Sequence, residues 1–403
     1  MKKTYYSIGL MSGTSLDGLD IALCKFEKNN EIEKNKSSLW NYEIIETKCV
    51  EYDKNWKEKL QNAHLLSALA LKKLETEWTD FLVKNINKFV LQSDRFDFSA
   101  LDCISSHGHT IFHQPTHNQE QTGFTFQMGN GAMLAAKTGF DVVSDFRQTD
   151  VALGGQGAPL VPIGDELLFS DFDFCLNLGG IANISFSTDR ENNNSRFAFD
   201  ICPCNMVLNF LSNKLGYEYD KGGELAKDGK IDEKLLQGLN NLAFYKENFP
   251  KSLGREWVEE NIFSIINSQE KEGNTLKEQH IRDLLHTFTY HSAFQIAESI
   301  KKIEPTLKNI ENQTRKKLLI TGGGTHNDLL IAYLESFLPK IQVVRGDEIL
   351  IAYKEALIFA FLGVLRLRGE TNTLASVTGA SRNSCGGSVY LSALTSSKPL
   401  ITG

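Results

Sequence analysis

Two glycine-rich turns, each directly after an apolar strand pattern, constrain the fold of this chain more than any other feature of its sequence. The first turn, MSGTSLDG at 11–18, joins two strand patterns, and the second, GGIAN at 179–183, joins two more. The turns lie about one domain length apart, which indicates a structural duplication rather than a short tandem repeat. We therefore predict two related halves, each of which begins with an antiparallel hairpin.

Strand and helix patterns alternate along the rest of the chain, which is typical of the α/β class. The chain has 403 residues, more than the ~250–300 residues that one hydrophobic core commonly organises. We therefore expect an N-terminal lobe at 1–168 and a C-terminal lobe with helical insertions at 169–403. A C-terminal tail that packs back on the first lobe is compatible with this division.

The composition excludes several classes of protein. A formal net charge of -7, from 43 Lys and Arg against 50 Asp and Glu, provides no broad positive field for a nucleic acid. We find neither a signal-peptide pattern nor an apolar run of the roughly 20 residues that span a bilayer. Seven cysteines, mostly beside apolar residues, indicate reduced and buried thiols. We expect a cytoplasmic protein without a membrane or nucleic-acid partner.

The glycine turns are candidates for binding phosphate groups, because glycine lets backbone N–H groups come close to an anion. Each turn taken alone is equally explained as a tight hairpin. In the first turn, Thr14 and Ser15 add hydroxyl groups, and Asp17 or Asp20 could hold Mg²⁺ through water. In the second, Gly179, Gly180 and the amide of Asn183 are the corresponding candidates.

A third glycine cluster, Gly322, Gly323 and Gly324 in ITGGGTHN, follows a strand pattern and precedes a helix pattern. There, backbone and the helix N-terminus could accept an anionic or planar ligand. The alternative is a strand-to-helix turn that needs glycine for close packing. The cluster is not a Walker A sequence, and none follows a strand elsewhere, which disfavours a P-loop nucleotidase.

Asp200 is the candidate general base. It ends the strand pattern FAFDI, in which Phe197 and Phe199 point to one face and Asp200 to the opposite, small-residue face. A carboxylate at the carboxyl end of a strand is well placed to take a proton from an attacking oxygen. The alternative is that Asp200 caps the helix expected just after it.

Three further groups of polar residues are candidates with open alternatives. Glu355 lies near the start of an apolar helix pattern and is expected to be buried, either facing a ligand or complementing the positive end of that helix. Asp145, Arg147 and Asp150, in SDFRQTD, suit sugar hydroxyls but equally a surface ion-pair network. The segment HGHTIFHQPTH contains four histidines, His107, His109, His113 and His117, of which the first two are expected to share a strand face. We expect hydrogen bonding or packing for them, with zinc as the alternative.

Taken together, the motifs MSGTSLDG, SSHGHT, VVSDFRQTDVALGGQGAPLVP, NLGGIANIS, FDICPCN, TGGGTHN and YKEAL resemble the 1,6-anhydro-N-acetylmuramic acid kinase family over nearly the whole chain. That family belongs to the superfamily of actin, hexokinase and heat-shock chaperone ATPases. The resemblance implies two RNase H-like lobes with an ATP cleft between them, ATP and Mg²⁺ as cofactors, a small sugar substrate and a homodimer.

The resemblance also implies roles for particular residues. ATP phosphates would bind to Gly13, Thr14, Ser15, Leu16, Asp17, Gly18, Leu19 and Asp20, and to the second turn with Gly179, Gly180 and Asn183. Gly322, Gly323 and Gly324 would lie on the adenosine side, and Thr110, Asp145, Arg147 and Glu355 on the sugar side. Asp200 would activate the water that opens the anhydro ring, while the freed O6 takes the γ-phosphoryl group.

This sequence departs from the family pattern at two places. Where DTGPGN is common, the chain has DICPCN at 200–205, and the common HGQT is HGHT at 107–110, followed soon by Phe112 in place of a basic residue. Three alternatives follow for the function. They are a related small-molecule kinase with another acceptor, a non-catalytic sugar- or nucleotide-binding protein, and a zinc hydrolase that uses the histidines.

Overall fold

The computed structural model describes residues 2–13, 15–29, 39–115, 123–189, 196–269, 277–307 and 315–392. Contacts between residues divide the chain into two compact units. The first unit contains Met1–Ser170 and Tyr353–Gly403, and the second contains Asp171–Ala352. Each unit has its own sheet and its own core.

The strands of the first unit are β1 Thr4–Ser12, β2 Gly18–Lys28, β3 Trp40–Glu51, β4 Cys103–Gln114, β5 Phe124–Met128, β6 Val142–Ser144 and β12 Ser388–Tyr390. The strands of the second unit are β7 Phe174–Leu178, β8 Ile181–Ser187, β9 Arg196–Pro203, β10 Lys316–Thr321 and β11 Ile341–Arg345.

The helices before the second sheet are α1 Lys54–Gln61, α2 Ala68–Gln92, α3 Gly131–Thr138, α4 Gln148–Ala152 and α5 Pro162–Leu168. Those that follow are α6 Asn205–Lys214, α7 Glu224–Lys227, α8 Glu233–Asn240, α9 Arg255–Val258, α10 Ser264–Ser268, α11 Glu278–Ile303, α12 Asp328–Phe337, α13 Glu348–Arg368 and α14 Ala375–Thr378. Within the described residues, no helix combines the length and the apolar character that crossing a membrane requires.

The two sheets share one strand order. The described strands of the first unit form a seven-stranded sheet in the order β12-β6-β4-β1-β2-β3, with β5 paired to β4, and those of the second form the order β11-β10-β7-β8-β9. In both, the first strand is antiparallel to the second and parallel to the fourth, so β3-β2-β1-β4-β6 matches β9-β8-β7-β10-β11. The predicted α/β class with duplicated mixed sheets, the arrangement of RNase H-like lobes, is confirmed.

The units divide the chain differently from the lobes expected at 1–168 and 169–403. The second division lies inside α13, after Ala352, so the rest of that helix belongs with the first unit. At the far end of this segment, β12 pairs antiparallel with β6 and extends the first sheet. The part of the chain that returns to the first unit is therefore much longer than a tail.

The first sheet is covered on both faces because its strand residues alternate in direction. Ile8 and Leu10 lie in a core with Trp78 of α2. The residue between them, Gly9, faces α13 instead, where a Cβ at this position would lie 1.9 Å from the carbonyl oxygen of Ala356. Only glycine allows this approach, so Gly9 sets how closely α13 lies against β1.

The core of the second unit lies around its central strands. Phe174, Leu176 and Ile184 are almost completely buried, together with Ile296 and Ile300 of the long helix α11. This burial explains the apolar residues of β7 and β8. A second apolar cluster joins α6 to α11 through Leu211 and other buried side chains, and the unit therefore has two adjoining cores.

A charged pair is buried in the first unit. The ammonium group of Lys354 lies 2.8 Å from the Asp165 carboxylate, and the Lys354 side chain is 8% exposed. This lysine, in α13, also lies over the ring of Phe169. Nothing in the apolar pattern of α13 indicated that its buried charge would be Lys354.

We predict that Gly9→Ala lowers the free energy of unfolding by about 3 kcal/mol, because the new methyl group overlaps the Ala356 carbonyl and forces β1 and α13 apart. Gly238→Ala is the matched control, since Gly238 is an exposed glycine of α8 and a Cβ there would have no other atom within 4 Å. There the same substitution should raise the free energy of unfolding by roughly 0.5–1 kcal/mol. Urea unfolding followed by circular dichroism measures both, and equal effects would contradict the close approach at Gly9.

Candidate active site

The first glycine turn links β1 to β2 and has an unusual backbone. The amide of Leu16 donates to the carbonyl oxygen of Gly13 at 3.4 Å, and Leu16 has φ 60°. A leucine in the left-handed region is strained, and such residues concentrate at functional sites. Ser15 and Asp17 are exposed, and Thr14 lies outside the described residues.

The end of this turn enters β2 and packs against β3. A Cβ on Gly18 would lie 2.8 Å from the carbonyl oxygen of Val50, and Leu19 is buried in the core, so Leu19 could serve a ligand only through its backbone. Asp20 is half-buried, and the Cys49 thiol donates a hydrogen bond to it. Burial raises the pKa of the Asp20 carboxyl, Cys49 opposes this rise, and the nearby Asp17 carboxylate adds to it.

Cys49 corrects the prediction that the cysteines are buried. Its side chain is exposed, whereas five of the other six cysteines are buried. Partial burial raises the pKa of the Cys49 thiol to about 12, and its hydrogen bond to Asp20 acts in the same direction. The thiol therefore remains protonated and serves as a donor to the carboxylate.

Three hydrogen-bonded side chains lie next to the first turn, at the end of β1. The hydroxyl of Tyr52 donates to Oγ of Ser12 at 2.8 Å, and Oγ of Ser12 lies 2.8 Å from Nδ1 of His109. Burial lowers the pKa of His109 to about 4, so the ring is neutral near pH 7. Ser12 uses its own hydrogen toward His109, which therefore carries its proton on Nε2. Neither Tyr52 nor Ser12 was among the predicted site residues.

His107 and His109 do not share a face of β4, contrary to the prediction. Gly108 between them has φ 75°, and the pairing of β1 with β4 shifts at this point. As a result His107 packs on Phe359 of α13, whereas His109 lies beside Trp78 of α2. The positive φ interrupts the alternation that the strand pattern assumed.

Arg147 is held by His107. Its Nη2 and Nε atoms lie 2.9 and 3.2 Å from Nε2 of His107, and Nη1 donates to the carbonyl oxygen of Gly157 at 2.6 Å. Since a guanidinium group can only donate, Nε2 of His107 accepts and Nδ1 donates to the Gly108 carbonyl. Burial and then Arg147 lower the pKa of His107 well below its usual value, so the imidazole stays neutral.

Glu355 is exposed to solvent, which corrects the prediction that it is buried. It also lies two turns into α13, which begins at Glu348, so it does not complement the start of that helix. Although solvent reaches the side chain, the dense protein around the carboxyl group raises its pKa, and the Arg147 guanidinium opposes the rise. Asp20 adds a smaller effect in the raising direction. Glu355, Arg147 and Asp20 therefore form one electrostatic group in the first unit.

Asp145 and Thr110 lie on neighbouring parts of the same unit. Asp145 has φ 60°, and its Oδ2 accepts hydrogen bonds from Ser144 and Tyr390 at 3.1 and 3.3 Å. Thr110 is half-buried at the point where β4 pairs with β5. Asp145 and Leu16 are the two non-glycine residues with positive φ in the described chain, and both were predicted to bind ligands.

The buried side chain of Asp150 accounts for Gly155 and Gly157 of the GGQGAPL loop, and no bound ligand is needed to explain them. Its two carboxylate oxygens accept from the Gly157 amide and the Thr378 hydroxyl, both at 2.7 Å, and it is completely buried. A Cβ on Gly155 would lie 2.2 Å from this carboxylate. Asp150 therefore does not belong to a surface ion-pair network with Asp145 and Arg147.

In the second unit, the turn between β7 and β8 holds the start of α6. The carbonyl oxygen of Gly180 accepts from the amides of Cys204 and Met206 at 2.8 and 3.1 Å, and that of Gly179 accepts from the Asn205 amide at 3.1 Å. The C=O and N–H groups of one trans peptide point in opposite directions. The N–H of Gly180 shares its peptide with the carbonyl of Gly179, which faces the start of α6, so this N–H points away from α6. Gly180 is exposed.

The third glycine cluster packs on this turn, and its three glycines have different roles. A Cβ on Gly322 would lie 2.5 Å from Oδ1 of Asn177, and one on Gly324 would lie 2.7 Å from the Cβ of Leu178. Close packing therefore explains why glycine is needed at both positions. Gly323 is exposed, and the nearest atom to its Cβ position is 3.7 Å away. The cluster does not open α12 directly, because a 3₁₀ turn at Gly323–His326 and the cap residue Asn327 come first.

Asp200 lies in β9, where its Cα pairs with that of Asn183 in β8. The register shifts beside it, so that β9 has one additional residue, Ile201, and Cys202 is buried rather than on the open side with Asp200. Oδ2 of Asp200 accepts from the Leu253 amide at 2.9 Å and from the Ser252 hydroxyl at 3.0 Å. Asp200 therefore does not cap α6, whose cap residue is Cys204.

The pKa of Asp200 is raised from its ordinary value. Partial burial of the carboxyl group is the largest cause of this rise. The hydrogen bonds from Leu253 and Ser252 lower the pKa. A partly desolvated carboxylate accepts a proton from a bound hydroxyl or water more readily than a fully solvated one.

The family model and the curated relatives that match this chain by sequence carry the description anhydro-N-acetylmuramic acid kinase. A family model described as anhydro-N-acetylmuramic acid kinase matches residues 5–392. A protein of that name from Clostridioides difficile (strain 630) is 35% identical, with 93% of this chain and 95% of the relative covered. Another from Francisella tularensis subsp. novicida (strain U112) is 33% identical, with 94% and 97% covered. Among solved structures, a crystal structure of hexokinase is 13% identical to this chain and aligns with a TM-score of 0.32. The alignment covers 86% of this chain and 82% of the hexokinase chain.

This chain belongs to the anhydro-N-acetylmuramic acid kinase family. In this family member, the structure brings the predicted residues together in two groups, one in each unit. The first contains the 13–20 turn with Arg147 and Glu355, and the second contains Gly179, Gly180, Asn183, Asp200 and 322–324. The structure adds Ser252, which the sequence reasoning missed because it is 52 positions from Asp200 along the chain.

The histidines of this family member have separate partners. His107 binds Arg147, His109 binds Ser12, and His113 lies 3.0 Å from Oγ1 of Thr125. His117 lies outside the described residues. In the part of the chain that the structure describes, no group of three or more His, Cys, Asp or Glu side chains could hold a metal ion. The histidines therefore give no support to the zinc alternative.

We predict that Gly324→Ala and Gly323→Ala differ in their effect on stability. The first should lower the free energy of unfolding by about 2 kcal/mol, because its methyl group overlaps Leu178. The second should leave it within about 0.5 kcal/mol, because the space beside Gly323 is open. Urea unfolding of the two variants and the parent measures this, and a Gly323→Ala variant as unstable as Gly324→Ala would refute the assignment.

Proposed function

We propose that this protein is an ATP-dependent kinase that converts 1,6-anhydro-N-acetylmuramic acid and water to N-acetylmuramic acid 6-phosphate, a step in the recycling of cell-wall sugars. The observation that carries the proposal is the match of the family model to residues 5–392. This range includes both glycine turns, Asp200 and Glu355. We also propose that the enzyme is cytoplasmic and acts as a homodimer, as the family resemblance implies.

In this proposal the ATP phosphates bind to the backbone of both glycine turns. The exposed Gly180, whose amide points away from α6, supports this role in the second unit. In the first unit, the left-handed backbone of Leu16 supports this role for the turn, because that conformation can direct neighbouring N–H groups to one anion. The open space beside Gly323 would accept the adenosine side of the nucleotide.

Asp17 and Asp20 would hold Mg²⁺ through water. Their fit to a divalent cation is supported by their mutual repulsion, since Asp17 raises the pKa of Asp20. Oxygen ligands of this kind suit Mg²⁺, which commonly uses one or two carboxylates together with phosphate oxygens. When bound, the ion would offset the negative charge of the phosphates.

The sugar would be bound by Thr110, Asp145, Arg147 and Glu355. Arg147 is oriented by His107 and Gly157, which restricts the directions in which its remaining N–H groups can donate. Asp200 would accept the proton of the water that attacks the anomeric carbon. The bond from that carbon to the bridging oxygen then breaks, and the freed O6 takes the γ-phosphoryl group, which leaves ADP.

The acceptor is tested by measuring ADP release from the purified protein with ATP and Mg²⁺. Release should require the anhydro sugar and should yield a 6-phosphorylated, ring-opened product by mass spectrometry. Plain N-acetylmuramic acid and glucosamine analogues are the comparison substrates. Faster turnover with one of these would identify a related kinase with another acceptor, and no turnover with any would favour a binding protein.

We predict that Asp200→Asn lowers kcat about a thousandfold, because the amide keeps the shape of the side chain but cannot accept the proton. Nucleotide binding, measured by calorimetry, should change little. Asp228→Asn is the matched control, since Asp228 is an exposed aspartate of the same unit that pairs with Arg282. Near-normal turnover of Asp200→Asn, or an equal loss in the control, would reject the role of Asp200.

A further inference from the structure

Both hydrogen-bond donors to the Asp200 carboxylate bind the same oxygen. The Leu253 amide and the Ser252 hydroxyl reach Oδ2 at 2.9 and 3.0 Å, while the Asp200 amide donates to the carbonyl oxygen of Lys251 at 3.0 Å. Residues 251–253 therefore hold Asp200 by its backbone and by one side of its side chain. Within the described chain, no donor binds the other oxygen, Oδ1.

We infer that Ser252 is a positioning residue for Asp200, which holds Oδ2 so that Oδ1 faces the reacting water and accepts its proton. This inference rests on the proposed function. The geometry separates the two oxygens, because a lone pair engaged by two donors is less available to a proton than one that is unengaged. The Ser252 hydroxyl also limits rotation of the carboxylate about the Cβ–Cγ bond of Asp200.

The segment 251–253 is itself fastened to the second unit. Nζ of Lys251 donates to the carbonyl oxygen of Phe244 at 2.8 Å and lies 4.2 Å from the centre of the Phe244 ring. The ammonium group is thus directed to the Ala243–Lys246 turn rather than to Asp200. That turn is held in place by Tyr245, whose hydroxyl is 3.0 Å from Nε2 of the buried His291.

The groups near Asp200 leave Ser252 as the side chain that adjusts its acidity. Asn183 on β8 is neutral, and the thiol of Cys202 on β9 is buried, which raises its pKa well above the usual value and keeps it uncharged. The charge of Lys251 is engaged at Phe244. Because the hydroxyl stabilises the ionised carboxylate, its removal should raise the pKa of Asp200.

The test compares Ser252→Ala, which removes the hydroxyl, with Ser252→Thr, which keeps it. Ser336→Ala is the control, since Ser336 is an exposed serine of the same unit whose hydroxyl binds only a helix carbonyl. Two quantities are measured for each variant. One is the pH dependence of kcat/KM, and the other is the pH titration of the Asp200 carboxyl carbon by NMR of aspartate-labelled protein, assigned by the loss of its signal in Asp200→Asn.

Ser252→Ala should lower kcat about tenfold and move the acid limb of kcat/KM up by about one pH unit, since one hydrogen bond to a charged group is lost. The NMR titration should shift in the same direction by a similar amount. In both the kcat/KM profile and the NMR titration, Ser252→Thr should lie closer to the parent than Ser252→Ala does. Ser336→Ala should match the parent. An unmoved titration in Ser252→Ala would overturn the inference, even if turnover fell.

The two readouts separate this inference from the proposed function. If the parent protein turns over no sugar, the proposed function fails, while the NMR titration still shows whether Ser252 controls Asp200. If the parent is active and Ser252→Ala is unchanged in both measurements, only the positioning role fails. Thermal unfolding of each variant shows whether a loss of turnover reflects loss of the folded state.

Discussion

The candidate site depends on how closely main chains can approach one another where glycine replaces a larger residue. In the first unit, Gly9 brings β1 against α13, so that Glu355 of this helix comes within electrostatic range of Asp20 and Arg147. In the second, Gly322 and Gly324 bring the loop after β10 against the turn after β7. A single methyl group at any of these positions would separate elements that carry candidate ligand-binding residues.

The acidity of Asp200 results from two opposed effects. Desolvation favours the neutral carboxyl group, and the donors on Oδ2 favour the carboxylate. Burial is the larger effect, so the pKa of Asp200 lies above its ordinary value and its carboxylate is a stronger base than that of an ordinary aspartate. A general base needs this combination, because a fully solvated carboxylate binds a proton too weakly and a deeply buried one without donors would already be protonated.

Much of the fold was predictable from local patterns. The two hairpins at β1–β2 and β7–β8 were evident because glycine-bounded turns and alternating strands are short-range signals. The division inside α13 was not, because the side on which a long apolar helix packs is decided by distant residues such as Gly9. Similarly, the order of His107, Gly108 and His109 indicated one strand face, and only the positive φ at Gly108 shows that the ring directions differ. Ser252 and Tyr52 could not be found from spacing, since each meets its partner only through the tertiary fold.

The DICPCN segment shows where the residues that depart from the family pattern lie in the fold. Ile201, Cys202 and Cys204 are 1%, 0% and 0% exposed, so the residues that replace the family's smaller ones fill the interior. The thiol of Cys202 donates to the Ser292 carbonyl of α11 at 3.8 Å, and the Ser292 hydroxyl returns a hydrogen bond to the Pro203 carbonyl at 3.2 Å. These side chains thus join β9 to α11 behind Asp200. Because packing of this kind restricts the backbone that carries the carboxylate, this departure bears on how rigidly Asp200 is held.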